Sequence, residues 1–465
     1  MHAPSAYPCH RQKRFVTRRD FLRELGGGLG GVAFAALLHQ EARAAANPLA
    51  ARPVHHPAKA RAVIQIFCPG GLSHIDSWDH KPELTKRDGQ RVPEELVKNI
   101  RLAQIGKESK LLASPYQFAR HGKSGAWMSE LLPHLGSIAD DICFVKSFYS
   151  EAFNHDPATL FMNTGAQLAG RPGMGSWFSY GLGSENKDLP AFVVMMTGIG
   201  QPLTNAAWGS GFLPSRYQGV KLRSAKDPVL YLRDPDGLPR ELRREMLDSL
   251  GAMNQRALER SGDPEVSTRI RQYEMAYRMQ ASVPELTDLS DEKDEVFELY
   301  GPDSRRPGSY AANCILARRL IERGVRFVQL FHPDWDHHSR LTSWCTARCR
   351  DTDQPSAALV KDLKRRGLLE DTLVVWGGEF GRGVAGQGKW DSPEAGRDHH
   401  PRCFTMWMAG GGIKGGVVHG ETDDFSYNIV KDPVHLRDFH ATMLKLLGFD
   451  HERFSYRYQG LDQRL

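Results

Sequence analysis

Six short apolar runs punctuate the chain: Ala62–Phe67, Ile142–Val145, Pro190–Met196, Val325–Phe331, Thr372–Trp376 and Cys403–Ala409. Each is rich in β-branched and aromatic residues and lacks polar alternation, the pattern of a strand buried on both faces of a parallel sheet. Between the runs the apolar period lengthens to that of a helix. Leu131, Leu132, Leu135 and Ile138 predict a helix over 127–141. Pro157, suited to a first helical turn, predicts another whose N-terminus holds Asn154, His155 and Asp156. Further helices are expected near 310–322, at about 354–366 and over Asp432–Leu447.

Strands alternating with helices predict an α/β fold: three layers around an open, mostly parallel sheet. From Ser215 to about 305 the text turns charged and helical instead. Leu242, Met246, Leu250 and Met253 mark one amphipathic helix there, and Val266, Ile270, Tyr273 and Tyr277 a second. That block reads as an inserted helical subdomain, with the Met and Tyr stripe serving as packing surface.

Composition narrows the class. Of 465 residues, 40% are hydrophobic and 25% charged, the balance of a globular protein. The net charge is +6, but residues 1–44 alone carry seven Lys/Arg against three Asp/Glu. The remainder is too balanced to favour nucleic acid. The seven cysteines form no disulfide framework, and Cys345/Cys349 lack the second pair a structural zinc site needs. After the leader, no run approaches the ~18 apolar residues of a membrane span.

The leader is itself informative. Thr17-Arg18-Arg19-Asp20-Phe21-Leu22-Arg23 has the twin-arginine pattern, a Gly/Ala-rich weakly apolar stretch follows, and Ala42-Arg43-Ala44 suits cleavage. Residues 1–44 are therefore expected to be a twin-arginine export signal, 45–60 a flexible lead-in and 61–465 the folded domain, placed in the periplasm or beyond.

Candidate chemistry gathers where strands end. After Ala62–Phe67, Cys68-Pro69-Gly70-Gly71 leads to His74, Asp76 and Asp79. After Val325–Phe331 come Asp334, Asp336, His337 and His338, and after Thr372–Trp376 two glycines deliver Glu379, followed by Asp398 and His399. In open α/β sheets the carboxyl edge is where ligands bind. Asp, Glu and His without cysteine form an oxygen/nitrogen set compatible with zinc, manganese, calcium or magnesium. Singly, each cluster is a weak signal, and the stretch from Val374 to Pro401 reads equally well as a salt-bridged loop; together, at equivalent strand ends, they outline a metal site.

The stretches RRDFL, GGLSHIDSWDHKPEL, FNHDPATLFMNTG, RPGMGSW, GVRFVQLFHPDWDHH, GGEFGR and GRDHHPRCFTMWMAGGGIKGG resemble the exported, sulfatase-like family catalogued as domain of unknown function 1501, within the alkaline phosphatase superfamily. The resemblance implies an alkaline phosphatase/sulfatase-like fold and a metal site at strand ends. Carried over by position, Asp76 resembles the first-strand ligand, Asp336 and His338 an Asp/His ligand pair, Glu379 the start of an Asp-His dipeptide and His399 the late histidine ligand. An Asp-x-x-x-His reading would select Asp334 instead of Asp336. HDPATLFMNTG aligns with the sulfatase nucleophile motif but puts His155 where the modified cysteine stands and Thr159 where an arginine stands, which argues against a formylglycine mechanism. His155 is left as nucleophile, as ligand or as the mark of a site without catalysis. Arg382 or Arg397 could clamp an anion, or serve as an ion-pair partner.

The expectation is an exported, metal-dependent hydrolase of sulfate or phosphate esters, its partner an anionic ester. A non-catalytic exported binding protein that keeps the fold is the alternative. Oligomeric state is not written in the sequence.

Overall fold

A computed structural model describes residues 50–97, 108–198, 205–223, 238–261 and 264–465. The expected export signal and the start of the lead-in lie outside the described residues. Residues 50–60 contain no helix or strand. They are nonetheless held down: the amides of His55 and His56 bond Gly448 O, and those of Lys59 and Ala60 bond Leu446 O.

The strands, in chain order, begin with β1 (Ala62–Phe67), a hairpin of β2 (Phe118–His121) and β3 (Ala126–Ser129), and β4 (Cys143–Tyr149). Next come β5 (Phe192–Met196), β6 (Val220–Leu222), β7 (Phe327–Phe331) and β8 (Thr372–Gly377). A second hairpin, β9 (Gly381–Gln387) and β10 (Gly396–His400), precedes β11 (Phe404–Ala409) and β12 (Val417–His419). The central sheet runs β12-β4-β11-β8-β1-β7-β5-β6, with the two-residue strand Val434–His435 also beside β4. Every pairing in it is parallel except those of β11, which runs antiparallel to both β4 and β8. The protein is thus α/β with a mostly parallel sheet.

Side-chain alternation along β1 and β7 sends neighbouring residues to opposite faces. Ile64, Ile66, Val328 and Leu330 share one core with residues 310–322 and 341–365. The other face carries Gln65 and Gln329, which meet across β1 and β7 and both reach Asn163 Oδ1, at 3.2 and 2.8 Å. Asn163 belongs to α1, His155–Thr164. A hydrogen-bonded polar trio inside an apolar layer fixes where that helix sits, since any shift would strand buried amides. It therefore fixes where His155, the first residue of the helix, projects.

Some elements differ from expectation. Residues 127–141 are not one helix: β3 is followed by a single turn, Pro133–Gly136, and a 3-10 turn, Ala139–Asp141. Pro133 can only open a helix, and the Asp353 carboxylate accepts from the His134 and Leu135 amides, capping the new turn. Leu132, Leu135 and Ile138 are still buried, so their spacing reports core contact rather than a continuous helix. The helix expected at about 354–366 runs over Leu341–Arg365 and contains Pro355.

In the inserted block, helices span Arg240–Ser261, Pro264–Thr287 and Asp294–Tyr300. The stripe expected to pack does not: Leu242, Met246, Leu250 and Met253 are all exposed, and Leu247 is the residue buried. Polar contacts help join the first two helices instead, Arg244 pairing with Glu274 at 2.5 Å and lying over the Tyr277 ring. Among the described residues no helix is long and apolar enough to cross a membrane, and the six described cysteines are free and buried.

Candidate metal centre

At the end of β8, Gly377 and Gly378 leave no room for side chains. A Cβ on the first would strike Met406, and on the second would lie 2.6 Å from Cys68 O. The chain can therefore turn tightly and sink Glu379, which is fully buried. Glu379 Oε1 accepts from Gly70 N at 2.8 Å and lies 2.9 Å from His155 Nδ1. Gly70, with φ +119°, sits so close to the loop after β7 that a Cβ there would collide with Trp335 and Asp336 backbone. The loops after β1 and β7 are interlocked.

Trp335, buried, anchors the loop after β7 by donating its indole N–H to His332 Nδ1 at 3.1 Å. The loop then presents Asp336 and His338 on one side. Gly396, opening β10, packs directly on the His338 carbonyl, which holds that histidine in place. Further along β10, a register shift between Arg397 and His399 pairs His399 with Arg382 of β9 and turns its ring toward the same point.

Four side chains meet there. His155, Asp336, His338 and His399 each offer a donor atom, all within 4.8 Å of one another, the one such group of His, Cys, Asp and Glu among the described residues. Each imidazole is oriented through its Nδ1. That of His399 lies 2.7 Å from Phe153 O, which can only accept, so Nδ1 carries the proton. That of His155 faces the Glu379 carboxylate, and that of His338 faces Gln387 Oε1 at 2.6 Å. With its proton held on Nδ1, each imidazole in its neutral form turns the Nε2 lone pair inward. His338 Nε2 and His399 Nε2 are 2.8 Å apart, and His338 Nε2 is 3.0 Å from Asp336 Oδ1. His155 Nε2 stands 3.2 Å from Asp336 Oδ2 without a well-aligned hydrogen bond.

The remaining residues named from the sequence sit around this cluster. Arg382 is fully buried; its Nε donates to Gly71 O at 2.8 Å, its Nη1 to Arg397 O at 3.0 Å and its Nη2 to Asp336 Oδ1 at 2.5 Å and to Gly70 O. Asp76 faces elsewhere: both its oxygens are taken by Arg397, at 2.8 and 3.1 Å, and neither residue is exposed. Asp334, the alternative to Asp336, is exposed and lies 3.8 Å from Arg348. Gln387 and the carbonyl of Phe153 were not signalled in the sequence. An amide on a strand and a backbone oxygen carry no pattern that marks them as imidazole partners.

The electrostatics reflect crowding. Burial disfavours a charged His155, but the hydrogen bonds and charges of Asp336 and Glu379 outweigh it and raise its pKa to about 9. Burial likewise disfavours an ionised Asp336, yet the three histidines and Arg382 hold its pKa far below the usual carboxylate range. Burial lowers that of His399. Asp336 and Glu379 thus favour positive charge at His155, where a proton and a metal ion would compete for the same Nε2.

No curated protein matches the chain. Among solved structures, the alkaline phosphatase from the Antarctic bacterium TAB5 is 10% identical, with a TM-score of 0.33 over 84% of this chain and 98% of that one. The PsFucS1 sulfatase from Pseudoalteromonas sp. is 13% identical, TM-score 0.34, over 84% and 68%. The lipoteichoic acid synthase LtaP from Listeria monocytogenes is 10% identical, TM-score 0.34, over 85% and 74%. The family model described as "Protein of unknown function (DUF1501)" matches residues 60–465, and the chain belongs to that family.

Proposed function

We propose that His155, Asp336, His338 and His399 hold one divalent metal ion and that the protein is a metal-dependent hydrolase of phosphate or sulfate esters. The observation that carries the metal is the inward convergence of three Nε2 lone pairs beside a carboxylate, with every Nδ1 already committed to an acceptor. That is the arrangement metal-bound histidines adopt, each oriented through its far nitrogen. Two lone-pair nitrogens 2.8 Å apart repel unless a cation or proton lies between them. The donor chemistry fits zinc or manganese better than calcium or magnesium, which prefer oxygen alone.

In this reading Glu379 and Arg382 are positioning residues. Glu379 fixes the His155 tautomer, and Arg382 steers Asp336. His155, with both nitrogens committed, serves as a ligand rather than as a nucleophile. A bound divalent ion would polarise an ester oxygen and lower the pKa of water. Asp336 is 44% exposed at its side chain, so the cluster is open to a substrate from solvent. Asp76 stabilises the loop that carries it, through Arg397.

A non-catalytic metal-holding protein is the second reading. It is favoured by the four protein donors, a number that closes a tetrahedral zinc site, and by Arg382 being fully committed. The deciding experiment is metal analysis of purified protein followed by turnover of nitrophenyl phosphate and nitrophenyl sulfate with zinc or manganese. One equivalent of metal with turnover supports the hydrolase; one equivalent without any turnover supports the binding protein; no metal at all refutes both. Export by the twin-arginine route belongs to the same proposal, and replacing Arg18 and Arg19 by Lys is expected to retain the protein in the cytoplasm. Undiminished export of that variant would refute it.

A further inference from the structure

A second concavity opens on the same edge of the sheet. It occupies about 500 Å³, well within the range of small-molecule pockets, and lies over the ends of β5 and β7. The metal cluster takes Asp336 and His338 from further along the same loop after β7, and none of its four donors lines this cavity. Asp334 lines the cavity, and Asp336 of the cluster is two residues on.

The lining has a distinct chemistry. Arg306, Arg348 and Arg350 are matched by Asp303, Asp334 and Asp351. They are partly paired: Arg348 lies 3.3 Å from Asp351 and 3.8 Å from Asp334, and Arg306 lies 3.4 Å from Asp303. Guanidinium donors and carboxylate acceptors therefore alternate around the cavity with no net charge. At its floor is His332, 1% exposed. Its Nδ1 accepts from Trp335, an obligate donor, so the proton sits on Nε2. That N–H has Asp351 Oδ2 as its acidic neighbour at 3.9 Å, beyond hydrogen-bond reach, and so faces the cavity as an unsatisfied donor. Burial lowers the His332 pKa to about 3, so the ring is neutral at ordinary pH. Tyr310, whose hydroxyl is engaged by Ser356 at 2.8 Å, adds an aromatic wall edge-on to His332.

We propose that this cavity binds a neutral, polyhydroxylated ligand, a sugar ring. A hydroxyl both donates and accepts, so neighbouring hydroxyls match an alternating Arg/Asp lining, while the ring's C–H face suits an aromatic wall. A net anion or cation finds no balancing excess of charge here. The cavity is separate from the metal donors, so sugar binding stands whether or not the hydrolase reading holds; its use as a substrate subsite rests on that reading.

The test uses the full-length protein and ligand-observed saturation-transfer NMR with glucose, galactose, mannose, N-acetylglucosamine and cellobiose, each at millimolar concentration. At least one of them is expected to bind. Asp351→Asn and Arg348→Ala are expected to weaken that binding about tenfold each, the loss of one charge-assisted hydrogen bond, with thermal melting confirming that the variants fold. Asp351→Asn is nearly isosteric and carries the test if the arginine variant misfolds. Binding is expected to survive EDTA and excess inorganic sulfate. Failure of every sugar to bind, binding indifferent to Asp351→Asn, or loss with EDTA or sulfate would each overturn the proposal. Loss with EDTA would move the sugar onto the metal centre and leave the metal reading intact.

Discussion

At the scale of single residues, the ligand reading rests on what each side chain has left to offer. His399→Ala removes an inward Nε2 and is expected to abolish stoichiometric metal binding while the protein still melts cooperatively; retention of a full equivalent would remove His399 from the ligand set. Glu379→Gln is subtler. The amide keeps the shape but no longer demands a protonated His155 Nδ1, and outer partners of this kind contribute ~10–100-fold to metal affinity. A weakening in that range, read by competition with a chelator, is the expected outcome, and abolished binding would make Glu379 a ligand after all. Asp76 makes the contrasting case. Its carboxylate and Arg397 are both fully buried, and breaking a buried pair costs ~3–5 kcal/mol. Asp76→Ala should therefore lower the melting temperature steeply and leave metal stoichiometry unchanged in the folded fraction. The sequence grouped Asp76 with the metal residues because an acid after a strand looks the same whichever partner it meets.

At the scale of elements, close approach of backbones does the positioning. The hairpin β9–β10 brings His399 across from Arg382, and Gly396 lets it lie on the His338 carbonyl. A Cβ at Gly396 would overlap that carbonyl, so Gly396→Ala is expected to push His338 out of register and weaken metal binding more than it weakens the fold. The check is metal affinity beside denaturation midpoint; an equal loss of both would mean that the hairpin is merely structural. Helix α1 illustrates how much an element's use depends on distant partners. Its start at His155 followed from Pro157, but its docking through Asn163 onto Gln65 and Gln329 joins residues 98 and 166 positions apart. No local pattern contains that.

At the scale of the whole molecule, several histidines are so buried that desolvation outweighs whatever nearby groups favour protonation. Burial lowers the pKa of His74 to about 4, His332 to about 3 and His440 to about 4. In the unfolded chain these groups titrate near ~6.5. Between those values the unfolded state binds more protons, so the contribution of these three groups is full above about pH 6.5 and is lost as pH drops toward 4. Thermal melting across pH 8 to 4 is expected to show that loss beginning near 6.5, ahead of the carboxylates; a melting temperature flat down to pH 5 would contradict it.

The apolar runs by themselves determined the six main strands and their burial, because a strand covered on both faces is apolar nearly throughout, its few polar residues needing buried partners such as those of Gln65 and Gln329. The glycines after β1 and β8 likewise announced tight turns, and the resemblance of stretches such as GGLSHIDSWDHKPEL and GRDHHPRCFTMWMAGGGIKGG was enough to identify the family. Only the tertiary structure decided the rest. It turned Asp76 to Arg397, brought Glu379 to the far nitrogen of His155 rather than to the inward side of the cluster, and left the stripe at Leu242, Met246, Leu250 and Met253 exposed. The reason is physical. Burial and backbone conformation act over a few residues and are written locally, whereas the partner of a charged side chain depends on which strand ends the sheet order makes neighbours.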